Sequence, residues 1–299
     1  MFDTPNGDPE SSDERESSET HDVWDEFDTQ LAAQAPASFL DRWSPARWLI
    51  FALALLMLYQ MAIVAFWNGQ GGFGLLGLAA APMAGIILPL WLSMRRFGLS
   101  FRHEMALEFL SLRQILGVIL SIAGMLPLAY ALSVLNSRYS APVPEYWEFF
   151  EALRPGDAVG FSCGLVAIVV MIPLGEELLF RRVVQGTLMR HLSPWVAILL
   201  GGVLFGAAHM TPWVLLPISG LGVLLGALFY VSRTITTAWL GHALFNLFSF
   251  LELTISGDPD SQDFESIAVR PLPILLGAAV MFIGIRMTRH AQADTQKPR

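Results

Sequence analysis

Eight long apolar runs, separated by short polar connections, constrain this chain of 299 residues more than any other feature. A helix needs about 20 apolar residues to cross the ~30 Å hydrocarbon core of a bilayer, and the runs are close to that length. The sequence therefore predicts an all-α, polytopic membrane protein with about eight transmembrane helices. The runs are Trp48–Trp67, Phe73–Met94, Ile115–Leu135, Ala158–Leu174, Trp195–Met210, Trp213–Val231, Thr234–Leu253 and Pro271–Met287.

Charge is scarce and unevenly distributed along the chain. Charged residues make up 15% of it, whereas soluble domains average about 25%. The net charge of −8 arises in the first 30 residues, which contain eleven Asp or Glu and one Arg. Such a segment cannot bury enough apolar surface to fold. We therefore predict an acidic disordered tail over residues 1–40, a transmembrane helical domain over 41–290 and a short second tail over 291–299.

Arginine is distributed asymmetrically between alternate connections. If the eight runs cross the membrane in turn, twelve arginines lie on the same side of the membrane as the N-terminus. Only Arg138, Arg154 and Arg270 lie in the connections on the opposite side. Since cytoplasmic connections carry an excess of Lys and Arg, the N- and C-termini are predicted to be cytoplasmic. The expected location is the plasma (inner) membrane, which the chain crosses several times.

Two adjacent carboxylates and two guanidinium groups follow the fourth apolar run, in the stretch Gly175–Arg182. Ionisable groups at membrane depth are costly and rarely persist without a partner and a function. Glu177 and Arg181 are four residues apart, so a helix would place them on one face as an ion pair. Glu176 projects about 100° away and is left as a candidate general base. The alternative is an ion pair that only ties helix ends together.

Two histidines lie inside apolar runs, His209 in the fifth and His242 in the seventh. His242 and Asn246 are four residues apart and would present two hydrogen-bonding side chains on one helix face. Such a pair could hold a carbonyl oxygen as negative charge develops on it. The alternative for these residues is a set of hydrogen bonds between helices.

The depth of Glu176 in the membrane depends on where the fourth helix ends. If the helix continues to about Arg190, Glu176 lies ~21 Å from that end, which is similar to the depth of His209. We therefore predict a long helix that is tilted or broken. Pro173 and Gly175 are the points where a break would fall.

Other catalytic patterns do not fit. The sequence contains no His-Glu-x-x-His motif, which excludes the usual helical zinc-protease site. The stretch Gly160–Gly164 matches a Gly-x-Ser-x-Gly elbow by letter, but it lies in an apolar run rather than at a strand-to-helix turn. We predict that it serves small-residue helix packing, as does Gly202–Gly206.

Taken together, three of these segments resemble the motifs of the CPBP intramembrane proteases. That family includes the type 2, glutamate-dependent CaaX prenyl endopeptidases and abortive-infection and bacteriocin-immunity relatives. The resemblance covers about residues 158–253. The motifs in this chain are Glu176-Glu177-x-x-x-Arg181, Phe205-x-x-x-His209 and His242-x-x-x-Asn246.

The resemblance implies an all-helical membrane endopeptidase with a cavity open to the cytoplasm. In it, Glu176 and His209 would activate a water that attacks a peptide carbonyl, and His242 and Asn246 would stabilise the oxyanion. The remaining two motif residues would organise the site. The implied catalytic set is Glu176, Glu177, Arg181, His209, His242 and Asn246.

The resemblance leaves the cofactor and the substrate open. Members of the family are commonly called metalloproteases, and Glu176, His209 and His242 could bind Zn²⁺; a Glu–His pair can also activate water without a metal. The expected partners are the lipid bilayer and a membrane-associated protein or peptide, prenylated or not, with no nucleic acid. One alternative is a non-catalytic scaffold or immunity protein. Another is a transporter, although the polar residues lie in runs four, five and seven and have no matching set in runs one to three.

Overall fold

The computed structural model describes residues 39–67, 71–255 and 270–289. Of the predicted acidic tail, residues 1–38 lie outside the described residues. All of the short tail 291–299 also lies outside them. A 3₁₀ helix, Phe39–Arg42, is the described part of a first unit that ends at Arg42. Every helix considered below belongs to a second unit, which begins at Trp43.

The described part of the second unit consists of helices and their connections, with no strand. This confirms the predicted all-α class. The helices are α1 (Pro45–Phe66), α2 (Gly71–Pro82, Met83–Ile87 and Leu88–Arg96 in succession), α3 (Phe101–Glu104), α4 (Leu112–Ser137), α5 (Pro144–Leu153), α6 (Ala158–Leu188), α7 (Pro194–Ala208), α8 (Leu215–Ser232), α9 (Ile235–Ile255) and α10 (Pro271–Met287).

Six of the described helices are long and apolar enough to cross a membrane, namely α1, α2, α4, α6, α8 and α9. Helices α7 and α10 are apolar but shorter, with 15 and 17 residues, which is below the ~20 residues that a perpendicular crossing requires. The protein is thus an integral, multi-pass membrane protein. The count of eight spans and the cytoplasmic position of both termini stay predictions.

The ends of the helices around the site follow from local sequence. Asp157 begins α6, because its Oδ1 accepts a hydrogen bond of 2.7 Å from the Gly160 amide, as an N-cap does. Between α8 and α9 the chain reverses within two residues, and Arg233 takes a left-handed conformation there with φ 62°. Such a short connection makes α8 and α9 antiparallel neighbours.

Helix α6 is continuous from Ala158 to Leu188, so the prediction of a long fourth helix is confirmed. It contains no break at Pro173. Instead, two segments, Leu165–Met171 and Leu178–Gln185, have the wider π-helical hydrogen bonding. Pro173 has no amide hydrogen to donate within the helix. The first π segment, which ends at Met171, stops two residues before this proline. Single π turns inside α-helices are frequent at functional sites, and here they flank the two glutamates.

Glycines let several helices approach closely. A Cβ on Gly202 would lie 2.7 Å from the Val223 amide nitrogen, so α7 packs directly on α8. A Cβ on Gly164 would overlap the Phe250 ring, so α6 packs on α9. Both small-residue stretches noted in the sequence therefore serve helix packing, as predicted.

Candidate active site

The centre of the candidate site is an ion pair within α6. Arg181 Nε donates a hydrogen bond of 2.6 Å to Glu177 Oε2, and both side chains are 0% exposed. The guanidinium also lies over the Phe205 ring, 5.2 Å from its centroid. The predicted pair of residues four apart is therefore present, and it neutralises one of the two carboxylates.

His242, on α9, lies between the two glutamates. Its Nδ1 is 3.0 Å from Glu177 Oε1 and its Nε2 is 3.9 Å from Glu176 Oε2. Because an ionised Glu177 can only accept a hydrogen bond, Nδ1 of His242 carries a proton. The other ring nitrogen, Nε2, is directed towards Glu176.

The two glutamates differ in what surrounds them. Glu177 is fully buried and holds Arg181 and His242. Glu176 accepts one hydrogen bond, of 3.2 Å, from the Tyr59 hydroxyl to its Oε1. Its Oε2 is buried and has no hydrogen-bond partner. A buried carboxylate oxygen without a partner is costly unless a ligand or a water occupies the space beside it.

Tyr59 is a site residue that the sequence reasoning did not find. It lies in the middle of α1, is 4% exposed and is followed by Gln60, whose Nε2 donates a hydrogen bond of 3.3 Å to the Ala208 carbonyl. The available signal was this Tyr-Gln pair, the polar interruption of an otherwise apolar span. Without the packing of α1 on α6, nothing connected it to the glutamates.

His209 caps the C-terminal end of α7 and is half-buried. Its Nδ1 is 2.9 Å from the Phe205 carbonyl oxygen, so Nδ1–H donates there and Nε2 is left as an acceptor. The Phe205 ring meets the rings of both His209 and His242 edge to face, with centroids 5.0 and 5.5 Å away. Among the described residues, the Glu176 carboxylate accepts a hydrogen bond from Tyr59 and none from His209. The two histidines are connected to each other through the Phe205 ring.

Asn246 lies one turn after His242, as predicted, but its amide is engaged. Asn246 Nδ2 donates a hydrogen bond of 2.9 Å to the Ile168 carbonyl. Trp239 Nε1 donates one of 3.1 Å to the Val170 carbonyl, in the same π segment of α6. These two bonds clamp α9 onto α6. One hydrogen of the Asn246 amide remains for a ligand.

The residue types suit a zinc ion only in part. Carboxylate and imidazole are both zinc ligands, and a catalytic site needs about three of them. In the part of the chain that the structure describes, no three His, Cys, Asp or Glu side chains are grouped to hold a metal ion. Glu176 and His242 face each other, whereas His209 is bound to its own helix. Zinc binding by these three residues stays a prediction, and no step below depends on it.

The comparison with known proteins bears on the same segment. Residues 159–248 match the family model described as type II CAAX prenyl endopeptidase Rce1-like. No curated protein and no solved structure matches the chain. The match begins in α6 and ends in α9, and it contains all six predicted site residues. The resemblance stated from the three motifs is thereby confirmed: the matched segment is similar to this family and consistent with a CPBP-family protease.

Proposed function

We propose that the protein is an intramembrane endopeptidase that hydrolyses peptide bonds of membrane-associated proteins or peptides by means of a water activated at Glu176. The observation that carries the proposal is the buried Glu176 Oε2, which has no partner and faces His242 Nε2 at 3.9 Å. A water placed beside both atoms could hydrogen-bond to each of them. The pair of Glu177 and Arg181 removes the second negative charge from the site.

The reaction follows from these groups. Glu176 Oε2 takes a proton from the water while the water oxygen bonds to the peptide carbonyl carbon, and the carbonyl π electrons move onto its oxygen. The free amide hydrogen of Asn246 and a protonated His242 would donate to that oxyanion. As the C–N bond breaks, the amine takes the proton from Glu176. The products are a carboxylic acid and an amine, and the glutamate is regenerated.

His242 is suited to hold a proton during this sequence. With both ring nitrogens protonated, the ring would lie 3.0 Å from Glu177 Oε1, and the ionised Glu177 would stabilise the positive charge. His209, whose Nδ1 is engaged by the Phe205 carbonyl, keeps its Nε2 as the second group that can orient the water. The substrate is expected to reach the site from the cytoplasmic side. Prenylated proteins are the class that the matched family's name indicates.

Replacing Glu176 with Gln tests the proposal, because the amide keeps the size of the side chain and removes the base. Turnover should fall by about 100- to 10,000-fold, the usual contribution of a general base. Glu252→Gln is the matched control, since Glu252 is an exposed residue of α9, and it should keep full activity. Substrates retained by the Glu176→Gln variant can be identified by mass spectrometry. A variant as active as the parent on every retained candidate refutes the mechanism.

The second candidate is a non-catalytic scaffold or immunity protein of the same fold. It is favoured by one observation, that Glu177, which pairs with Arg181 on its own helix, connects α6 to α9 through His242. A scaffold should be indifferent to Glu176→Gln and sensitive to Arg181→Ala. The protease should lose activity in both variants.

The metal requirement is tested separately. If Glu176 activates water unaided, exhaustive chelation should leave the activity unchanged and elemental analysis should find no stoichiometric zinc. Loss of activity on chelation, with recovery on adding Zn²⁺, would show instead that the metal is required.

A further inference from the structure

Helix α1 contributes directly to the candidate site, although it lies far outside the segment that matches the family model. The Tyr59 hydroxyl donates to Glu176 Oε1 across a separation of 117 residues. Tyr59 is 4% exposed, so its side chain is buried in the fold. A buried tyrosine hydroxyl is usually hydrogen-bonded, and here the partner is the proposed base.

We infer that Tyr59 is a positioning residue for the proposed hydrolysis: its hydroxyl occupies Glu176 Oε1 and so leaves Oε2 as the oxygen that takes the proton from water. A carboxylate has two equivalent oxygens, and a free rotor would present either one. The bond to Tyr59 fixes the rotation of the Glu176 carboxyl, and Oε2 then faces His242 Nε2. This inference rests on the proposed function.

The position of Tyr59 is itself fixed by close backbone packing. A Cβ on Gly85 would lie 2.7 Å from the Tyr59 amide nitrogen and 2.9 Å from its Cβ. Gly85 belongs to the π-helical turn Met83–Ile87 in the middle of α2. The absence of a side chain there lets α2 press against α1 at the level of the hydroxyl donor.

A second glycine completes this arrangement on the side of α6. A Cβ on Gly175 would lie 2.6 Å from Pro82 Cβ, so α2 also touches α6 one residue before Glu176. Gln60 adds a bond from α1 to the last carbonyl of α7, beside His209. The close approach of three helices thus holds Tyr59 against Glu176, and a side chain at either glycine would separate them.

The test is Tyr59→Phe, which keeps the buried ring and removes only the hydroxyl. Tyr130→Phe is the matched control, because the Tyr130 hydroxyl is buried and has no hydrogen-bond partner. With a cleavable substrate, Tyr59→Phe should lower kcat about tenfold and leave KM unchanged, as expected for a lost hydrogen bond to a charged group. Tyr130→Phe should change neither constant.

Infrared spectroscopy supplies a readout that does not need the protease activity. The carboxyl band of Glu176 can be identified as the band that Glu176→Gln removes. It should shift in Tyr59→Phe and stay in place in Tyr130→Phe. An unshifted band means that the hydrogen bond does not form, and it overturns the inference.

The kinetic and spectroscopic results separate the two proposals. A shifted band with an unchanged kcat also overturns the inference, because the bond then exists without a role in turnover. A rise in KM at constant kcat does the same, since it assigns Tyr59 to substrate binding. A parent protein that cleaves no substrate refutes the proposed function and with it the role in turnover, while the band shift still decides whether Tyr59 holds Glu176.

Discussion

The candidate site is built from two regions that hold their residues by different means. We call the motif residues on α6, α7 and α9 the motif core, and Tyr59, Gln60, Pro82 and Gly85 on α1 and α2 the N-terminal wall. In the motif core, charged groups hold one another: Glu177 binds Arg181 at 2.6 Å and His242 at 3.0 Å. In the N-terminal wall, backbone contact at Gly85 places a single neutral donor, the Tyr59 hydroxyl.

This difference explains the unequal state of the two glutamates. Glu177 is held by Arg181 and His242, whereas Glu176 faces the N-terminal wall and receives one hydrogen bond from a neutral donor. The guanidinium adds a Coulombic attraction that the Tyr59 hydroxyl lacks. The carboxylate that is held more weakly is the one that the proposed mechanism uses as the base, and the other contacts His242.

The largest effect is expected from breaking the ion pair of the motif core. Arg181→Ala would leave Glu177 buried without its main partner, and this should lower the free energy of unfolding by about 3–5 kcal/mol. The measurement is reversible denaturant unfolding in mixed micelles. Arg154→Ala is the control, because Arg154 forms a 2.9 Å pair with the exposed Glu151, and exposed pairs contribute about 0–1 kcal/mol. Equal losses in the two variants would contradict the assigned burial.

A smaller effect is expected where hydrogen bonds from Asn246 and Trp239 hold α9 against α6. Asn246→Ala should raise the activation free energy by about 3 kcal/mol, the scale of one oxyanion donor. Trp239→Phe removes the other bond of the clamp, to the Val170 carbonyl, and has no role in the chemistry. It should lower the free energy of unfolding by about 1 kcal/mol and leave kcat unchanged. If Asn246→Ala behaves like Trp239→Phe, Asn246 only clamps the helices.

The motif core was largely predictable because its contacts are local or follow from helix periodicity. The spacing of Glu177 and Arg181 fixes a common face whatever the rest of the chain does. His242 could be assigned to the site by its burial in an apolar run. The partner of Asn246 could not be predicted, because the Ile168 carbonyl is reached within a π segment, and hydrophobic periodicity does not distinguish a π turn from an α turn.

The N-terminal wall was not predictable from the sequence for a different reason. The contact between Tyr59 and Glu176 depends on how α1, α2 and α6 pack, and in a single sequence Gly85 and Gly175 look like ordinary glycines of membrane helices. The count of eight spans stays a prediction for a simpler reason. The fifth and eighth apolar runs form helices of 15 and 17 residues, which are shorter than the six clear spans.

The smallest expected effect comes from disturbing the N-terminal wall without touching a polar group. Gly85→Ala places a methyl group against the Tyr59 backbone and should lower the free energy of unfolding by about 1–3 kcal/mol, the range for overpacking. Gly156→Ala is the control, since a Cβ there meets nothing within 4 Å, and it should change stability by less than about 0.5 kcal/mol.

The activity of the same variants decides whether the wall acts through Tyr59. Gly85→Ala should reduce kcat by moving the hydroxyl away from Glu176, and adding Tyr59→Phe should then cause little further loss, because both changes remove one bond. Additive losses would mean that Gly85 affects the site by another route. A Gly85→Ala protein with the stability and kcat of the parent would show that α2 does not press on α1 at this level. The claim that close backbone packing holds the N-terminal wall would then be wrong.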